Sequence, residues 1–259
     1  MMPNLSICVV AYHNYNNIET IINSIEKHTD SSINKTIYIV DNSNDGNSDD
    51  GKQFKNIIDK YPDVVYLNTG ENLGFAKGHN YVLNRIGSDY HAIVNPDIVL
   101  VEDSFSKIIQ FMEDDQSIGM CVPKMVDAEG NMQLAYRKDP TPVDMFIRMF
   151  CPNLFPKRYR QHTLQNQDYS QPFQVPFAHG SFLVIRTELF KKLGGFDERF
   201  FLYIEDADLC RRVNQISKVM YFPGTEVIHK WEKGSHKNKK LFYYHVKSMY
   251  LYFKKWGIS

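Results

Sequence analysis

The first hundred residues alternate short apolar runs with segments of helical periodicity, and this alternation limits the fold more than any other feature. Four runs are predicted to be strands: Leu5–Val10, Thr36–Val40, Val64–Leu67 and Tyr90–Val94. Helices are predicted between them at about 17–28, 54–61 and 74–85. A β-α-β alternation of this kind predicts an α/β fold with a mostly parallel central sheet and helices on both faces.

The second half of the chain has a different pattern. It predicts a hairpin at 124–136, an irregular stretch at 140–170, strands at 181–186, 218–222 and 226–229, and helices from Thr187, near Glu205 and at 239–256. No repeat, low-complexity segment or linker separates independent units. We therefore predict that residues 1–259 form a single domain.

Composition argues against nucleic acid as a partner. Lysine plus arginine total 30 and aspartate plus glutamate total 30, whereas nucleic-acid binding usually shows as a basic excess. The four cysteines form no C-x-x-C pair and are expected to be reduced thiols. Neither a signal peptide nor a membrane-spanning stretch is recognised, so a cytoplasmic location is expected, with peripheral contact at the inner face of the cell membrane as an option.

Three polar residues lie just beyond predicted strands. In sheets of this class ligands bind beyond the carboxyl ends of the strands, so Tyr12, Asp41 and Asp97 are expected to converge on one crevice. Proline in Asn95-Pro96-Asp97 turns the chain sharply and presents Asp97, whose carboxylate suits Mg²⁺ or Mn²⁺. The alternative is an ordinary turn in which the aspartate caps a helix.

A second acidic cluster follows an aromatic-rich loop, in GGFDERFFLYIEDADLCRRV. Glu205, Asp206 and Asp208 crowd the start of a predicted helix, where acidic residues commonly complement the helix dipole. The apolar residues before the pair at 205 and 206 suggest a stronger interpretation. A desolvated carboxylate in that setting can serve as a general base.

Two further segments are ambiguous when taken singly. His229 closes a short strand, where a histidine is more often a satisfied structural residue than a ligand. In GENLGFAKGHN, Gly74 and Gly78 permit close backbone approach, and the helix that follows could face a diphosphate. That segment matches neither a Walker loop nor the G-x-G-x-x-G pattern of dinucleotide folds.

The order of these segments resembles the inverting family 2 glycosyltransferases with the GT-A fold, and among them the rhamnosyltransferase-like branch. The matching segments are ICVVAYHN, VDNSNDG, ENLGFAKGHN, VNPD, GSFLVIRTELFKKLGGFDERFFLYIEDADLCRRV and VIHKWEKGS. The resemblance extends from about Leu5 to Trp256 and is weakest between Pro140 and Ser170. It implies a nucleotide-sugar-binding half at 1–122 and an acceptor-binding half at 123–259 that carries the catalytic base.

The resemblance also implies roles for individual residues in the first half. Its nucleotide-binding positions correspond to Ala11, Tyr12, Asp41, Asn72, Gly74, Phe75 and Asn80. The D-x-D metal motif of the family appears as Asn95-Pro96-Asp97, so Asn95 replaces its first aspartate and is assigned to the bound nucleotide sugar.

The remaining roles concern the metal and the catalytic base. The resemblance implies that Mg²⁺ or Mn²⁺ is held mainly by Asp97, with His229 as a second ligand. Asp206 is expected to be the catalytic base, and Glu205 is the alternative. The implied reaction moves a sugar from a dTDP- or UDP-sugar to a saccharide or lipid-linked acceptor, with dTDP-L-rhamnose as the preferred donor and bacterial cell-surface polysaccharide synthesis as the context.

Two segments rich in aromatic and basic residues have open interpretations. DMFIRMFCPNLFPKRYR and the C-terminal KNKKLFYYHVKSMYLYFKKWG could lie on an anionic membrane or pack onto the core, and the second could also form a homodimer contact. Two other functions are also weighed. A sugar nucleotidyltransferase is disfavoured because AYHNYNN lacks a phosphate-loop glycine, and a non-catalytic sugar- or nucleotide-binding protein would have no need of a base.

Overall fold

The computed structural model describes residues 3–13, 15–43, 49–230 and 239–258. Its strands are β1 Leu5–Ala11, β2 Lys35–Asp41, β3 Val64–Asn68, β4 Tyr90–Val94, β5 Ile98–Leu100, β6 Ile118–Val126, β7 Tyr136–Arg137, β8 Phe173–Gln174, β9 Phe177–Ala178, β10 Phe182–Arg186 and β11 Lys218–His229. Its helices are α1 Tyr15–His28, α2 Asp49–Ile58, α3 Gly74–Asn80, α4 Ser104–Asp114, α5 Pro142–Phe150, α6 Pro156–His162, α7 Thr187–Lys192, α8 Glu205–Asn214 and α9 Lys239–Trp256.

The central sheet has the strand order β3-β2-β1-β4-β10-β6-β11-β5, and β8 pairs with β11. Strands β3, β2, β1 and β4 are parallel to one another, as is β11 to β6. Strand β10 runs antiparallel between β4 and β6, and β5 runs antiparallel to β11. The predicted α/β fold is confirmed, and strands from both halves of the chain share this sheet.

The sheet is covered on both faces. All five residues of β4 are buried, and successive side chains of a strand point to opposite faces. Helix α1 contributes to this cover through Ile18, Ile21, Ile22 and Ile25, which are fully buried at helical spacing as predicted. A sheet that is buried on both faces leaves its strand ends as the place for a ligand.

The structure differs from the prediction most clearly at 140–170, where helices α5 and α6 replace the expected irregular stretch. Both helices begin with a proline, Pro142 and Pro156. Proline is well tolerated in the first helical turn, because the N–H that it lacks would have no partner there. Two of the four prolines in this stretch are therefore helix starts.

Three smaller differences concern the ends and continuity of elements. Helix α3 ends at Asn80, and hydrogen-bonded turns continue to about residue 86. The two strands predicted near the C-terminus are one strand, β11, with an irregular register between Phe222 and Glu226. The predicted hairpin is reduced to a bridge between Val126 and Met132. Among the described residues, no helix is long and apolar enough to cross a membrane.

Candidate active site

One crevice contains many of the residues that the sequence singled out. Its lining includes Phe75, Asn95, Asp97, Glu205, Asp206 and His229. The crevice has a volume of about 250 Å³ and opens to solvent. Residues far apart in the sequence therefore surround one volume.

The turn after β4 brings Asp97 to the end of β11. Asn95 donates its N–H to Ser181 O at 2.8 Å, and Lys230 donates its N–H to Asp97 O at 2.9 Å. Strand β5 then pairs Ile98 with His229. As a result, Asp97 Oδ2 lies 3.4 Å from His229 Nε2.

Gln133 holds the imidazole of His229 in this orientation. Its Nε2 donates to the carbonyl of His229 at 2.7 Å, and its Oε1 lies 2.7 Å from Nδ1 of the same histidine. Because an amide oxygen can only accept, the tautomer protonated at Nδ1 satisfies this contact and leaves a lone pair on Nε2. That tautomer is suited to a metal ligand.

The pair suits a divalent cation that shares its coordination with a substrate. Oδ1 of Asp97 is buried and has no hydrogen-bond partner. Mg²⁺ is usually bound through one or two carboxylates together with substrate phosphates and water, and Mn²⁺ also accepts imidazole. Among the described residues no group of three or more His, Cys, Asp or Glu side chains is placed to hold a metal. Asp97 and His229 would therefore supply only part of a coordination shell.

Helix α8 presents the second functional group at its first turn. Asp206 Oδ2 accepts from Gly180 N and its Oδ1 accepts from Ala207 N, both at 2.9 Å. Tyr203 and Ile204 precede the helix with φ of 70° at each residue, a left-handed conformation that is unfavourable for a β-branched side chain. Such strain is characteristic of functional sites whose surroundings hold the backbone in place.

The two adjacent carboxyl groups have different electrostatic surroundings. Burial raises the pKa of Asp206, but its two backbone N–H donors and the nearby charge of Arg137 oppose that rise. Burial and the negative charge of Asp206 raise the pKa of Glu205 well above its ordinary value, and Glu205 Oε2 has no partner. Two neighbouring carboxyl groups in a buried site do not readily ionise together. Asp206 is therefore the ionised member and Glu205 the neutral one.

The residues assigned to the nucleotide base and ribose form a separate group at the ends of β1 and β2. Ala11 pairs with Asp41 in the sheet. The buried carboxylate of Asp41 accepts from Tyr66 Oη at 2.7 Å and from Asn68 Nδ2 at 3.1 Å. The ring of Tyr12 is 51% exposed. This group does not line the crevice around Asp97, and its role toward a nucleotide stays a prediction.

The glycine and asparagines of the ENLGFAKGHN segment have structural partners. Gly74 has a φ of +78°, and a Cβ there would lie 2.2 Å from the carbonyl oxygen of Phe201. Asn72 Oδ1 accepts from Gly74 N at 2.9 Å. Asn80 binds both the N–H and the carbonyl of Phe196 at 2.8 Å. The contacts of Gly74 and Asn80 connect α3 to the loop before α8, and only Phe75 of these predicted residues reaches the crevice.

Among the crevice residues that the sequence did not single out, four have basic side chains. They are Arg137, Arg148, His179 and His245. Burial and the charge of Arg137 lower the pKa of His179 to about 3, so this imidazole is neutral. The one signal available in the sequence was a single arginine inside the apolar run MFIRMF, where a buried charge requires an explanation.

Parts of three motifs fall outside the described residues. They are position 14 of ICVVAYHN, positions 44–46 of VDNSNDG and positions 231–235 of VIHKWEKGS.

Comparison with known proteins extends these observations. An N-acetylglucosaminyl-diphospho-decaprenol L-rhamnosyltransferase of Mycobacterium tuberculosis is 28% identical over 189 residues, which cover 66% of this chain and 60% of that protein. Rhamnosyltransferase WbbL of Escherichia coli is 28% identical over 216 residues, or 78% of each chain. The chain thus spans less than two thirds of the length of the mycobacterial relative.

The fold also matches a solved structure. The mannosyltransferase PcManGT of Pyrobaculum calidifontis, in complex with GDP-Man and Mn²⁺, superposes with a TM-score of 0.68 at 16% identity, covering 98% of this chain and 65% of that one. At this identity the likeness shows the fold alone, which is that of GT-A glycosyltransferases. The model of the family described as glycosyl transferase family 2 matches residues 6–194, which is well over half of the chain. This chain belongs to glycosyltransferase family 2.

Proposed function

We propose that this chain transfers a sugar from a nucleoside diphosphate sugar to an acceptor hydroxyl, with inversion at the anomeric carbon. One observation carries the proposal. The Asp97–His229 pair and the buried carboxylate of Asp206 line the same crevice. The pair is suited to a cation that binds phosphates, and the carboxylate is suited to proton removal. A transferase that uses a nucleotide sugar needs both functions within the reach of one substrate pair.

Asp206 would remove the proton of the acceptor hydroxyl as that oxygen attacks the anomeric carbon. The backbone N–H groups of Gly180 and Ala207 hold its carboxylate in place. Glu205, being neutral, would not compete for the proton. A single displacement needs no covalent sugar intermediate, so no second carboxylate nucleophile is required.

The diphosphate of the donor would lie near Asp97 and His229. A bound Mg²⁺ or Mn²⁺ would stabilise the negative charge that develops on the leaving nucleoside diphosphate. Asp97 would supply a carboxylate ligand and His229 its Nε2, while Gln133 keeps the ring oriented. This arrangement fits a metal motif whose first aspartate is replaced by Asn95.

For the donor we propose dTDP-L-rhamnose, because two relatives at 28% identity are rhamnosyltransferases by name. For the acceptor we propose a lipid-linked saccharide, since the name of the mycobacterial relative includes a sugar diphosphate on decaprenol. The context would be bacterial cell-surface polysaccharide synthesis.

Exposed apolar faces support contact with a membrane surface. Val143, Phe146 and Phe150 are exposed along α5, and Phe242, Tyr243, Val246 and Tyr250 are exposed along α9. Helix α9 carries lysines at both ends and no acidic residue. Aromatic side chains beside basic ones favour an anionic bilayer interface. A lipid-linked acceptor at such an interface could reach the crevice, to which both helices contribute a side chain.

The decisive experiment is calorimetric titration with dTDP, UDP, GDP and their sugars, each with Mn²⁺ and again with EDTA. Metal-dependent binding of one nucleotide series supports the transferase, and preference for the thymidine series supports rhamnose. Absence of binding by the folded chain would instead favour a protein without this activity. Transfer to a lipid-linked acceptor, followed by mass spectrometry, then tests the reaction.

A further inference from the structure

Two arginines lie in the crevice without a carboxylate partner. Arg137 is 8% exposed, and the Nε atoms of Arg137 and Arg148 are buried with no hydrogen-bond acceptor. Among the described residues, Arg158, Arg186, Arg199 and Arg212 each pair with a carboxylate within 4.0 Å, but Arg137 and Arg148 do not. Arg85, Arg160 and Arg211 also have no salt bridge among the described residues, so the distinguishing feature of Arg137 and Arg148 is a buried Nε atom without an acceptor inside the crevice.

The contacts that these arginines do make are weak. Arg137 lies 5.6 Å from the centroid of the Phe177 ring and 3.5 Å from the carbonyl oxygen of Leu134. Arg148 Nη2 lies 3.3 Å from Nε2 of His245 and 3.9 Å from the sulfur of Met145. An imidazole, an aromatic ring face and a thioether carry no negative charge that could neutralise a guanidinium. The negative charge of Asp206 acts on both arginines, but neither forms a salt bridge with it within 4.0 Å, and burying a charge without a directly paired counter-charge is costly.

This environment lowers the pKa of both arginines. Burial and the neighbouring charge of Arg148 lower the pKa of Arg137 to about 9, so it stays charged at neutral pH. Burial also lowers the pKa of Arg148. The two positive charges repel each other in this partly desolvated crevice. An anion that binds to both would therefore stabilise them.

The position of the arginines indicates which substrate would supply the anion. Arg137 lies in β7, which pairs with β9, and β9 packs against α8. The charges of both arginines act on Asp206. Arg148 lies on α5 and contacts α9 through His245. The arginines thus belong to the side of the crevice that holds the base, where the acceptor hydroxyl must arrive.

We propose that Arg137 and Arg148 bind a phosphate group of the acceptor and so place its hydroxyl against Asp206. The proposal rests on the proposed function and narrows it to acceptors that carry a phosphate or diphosphate close to the reacting sugar. A guanidinium binds phosphate oxygens through parallel N–H donors, which fixes orientation as well as charge. Neutral oligosaccharides would leave both arginines unpaired.

The donor diphosphate is the other source of the same chemistry. His179 lies between the two regions, with its ring centroid 6.0 Å from that of His229. The arginines could therefore reach a phosphate held near Asp97. The experiment must therefore distinguish a phosphate of the acceptor, which binds beside the donor, from the diphosphate of the donor itself.

The first arm uses the full chain, inorganic phosphate and EDTA, with binding followed by ³¹P NMR line broadening. We expect Arg148→Gln to weaken phosphate binding by at least about tenfold, because a charge-assisted contact is lost. The matched control is Arg85→Gln, an exposed arginine on a distant turn, which should bind like the unaltered chain. Circular dichroism checks folding, and Arg148→Lys replaces the glutamine variant if that variant does not fold. No phosphate binding by the unaltered chain, or equal binding by the Arg148 variant, would overturn the proposal.

The second arm repeats the titration with Mg²⁺ and a saturating nucleoside diphosphate, chosen from dTDP, UDP and GDP as the one that binds. Phosphate that still binds in an Arg148-dependent way supports an acceptor site. Phosphate that the nucleotide displaces assigns the arginines to the donor diphosphate and overturns the proposal. If no nucleotide binds, the proposed function fails and the acceptor assignment fails with it, while the metal-free arm still decides separately whether the arginines bind phosphate.

Discussion

Oδ2 of Asp97 lies 3.4 Å from Nε2 of His229, although the two residues are far apart in the sequence. The contact is possible because β5, directly after Asp97, pairs antiparallel with the end of β11. The sheet thus assembles a pair of oxygen and nitrogen ligands from one short turn and one strand end.

Removing the carboxylate at Asp97 is expected to weaken metal-dependent donor binding. Asp97→Ala should lower nucleotide affinity in Mn²⁺ and leave the weaker binding in EDTA unchanged. Gln133→Leu should reduce metal affinity by roughly 10- to 100-fold, because the residue that orients a metal-bound histidine is lost. Isothermal titration calorimetry measures both. Asp59→Ala, which changes an exposed aspartate at the end of α2, is the control and should behave normally.

The two adjacent carboxyl groups should respond differently to the same chemical change. Asp206→Asn is expected to reduce kcat by about 10²- to 10⁴-fold while nucleotide affinity is kept, because the general base is lost. Glu205→Gln should keep most of the activity, because the native side chain is already neutral. Initial rates at saturating donor decide the matter. Near-normal turnover by Asp206→Asn would show that Asp206 is not the base. A greater loss of activity in Glu205→Gln than in Asp206→Asn would assign the base to Glu205 instead.

The raised pKa of Glu205 predicts a pH-dependent stability difference. A carboxyl whose folded-state pKa is raised binds more protons in the folded state than in the unfolded state, so its contribution to stability is lost as pH rises from its unfolded pKa toward its folded pKa. Glu205→Gln has no such proton to lose. Its free energy of unfolding relative to the unaltered chain should therefore increase as the pH rises above the ordinary carboxyl pKa of 4.5. Urea unfolding at several pH values tests this, and a constant difference would contradict the assignment.

Gly74 is predicted to be a structural requirement of the site. Gly74→Ala places a methyl group 2.2 Å from the carbonyl oxygen of Phe201 at a φ of +78°. We expect a loss of at least about 2 kcal/mol in the free energy of unfolding, because backbone strain and a backbone clash combine. Gly87→Ala is the matched control, since nothing lies within 4 Å of its added carbon and its φ is not positive. Denaturant unfolding should separate the two variants clearly.

The exposed aromatic faces predict binding to anionic vesicles. Phe150→Ser combined with Tyr250→Ser removes side chains that are 61% and 64% exposed on α5 and α9. Cosedimentation with phosphatidylglycerol vesicles should fall by about tenfold or more, since each buried aromatic contributes on the order of 1.5–3 kcal/mol. Ile216→Ser changes an exposed apolar residue elsewhere and should bind as before. Binding that is equal in all three proteins would assign these faces another role.

Local patterns in the sequence were sufficient for the four strands and three helices predicted in the first hundred residues, although not for β5 and α4, which follow them. The isoleucines of α1, the apolar run of β4 and the Asn-Pro-Asp turn depend on neighbours within a few residues, and the structure agrees with them. The starts of α5 and α6 were missed because proline disrupts a helix interior but suits its first turn. The position of β10 between β4 and β6 depends on pairing across the whole chain.

The sequence by itself determined the family, the α/β class and the residue types available for chemistry, because these follow from local periodicity and from the order of short motifs. Only the tertiary structure decided that His229 reaches Asp97, that Asn80 binds the Phe196 backbone and that Arg137 and Arg148 lie unpaired beside Asp206. The same holds for the division of charge between Glu205 and Asp206. Burial and long-range contacts set these properties, and both arise only when distant segments pack together.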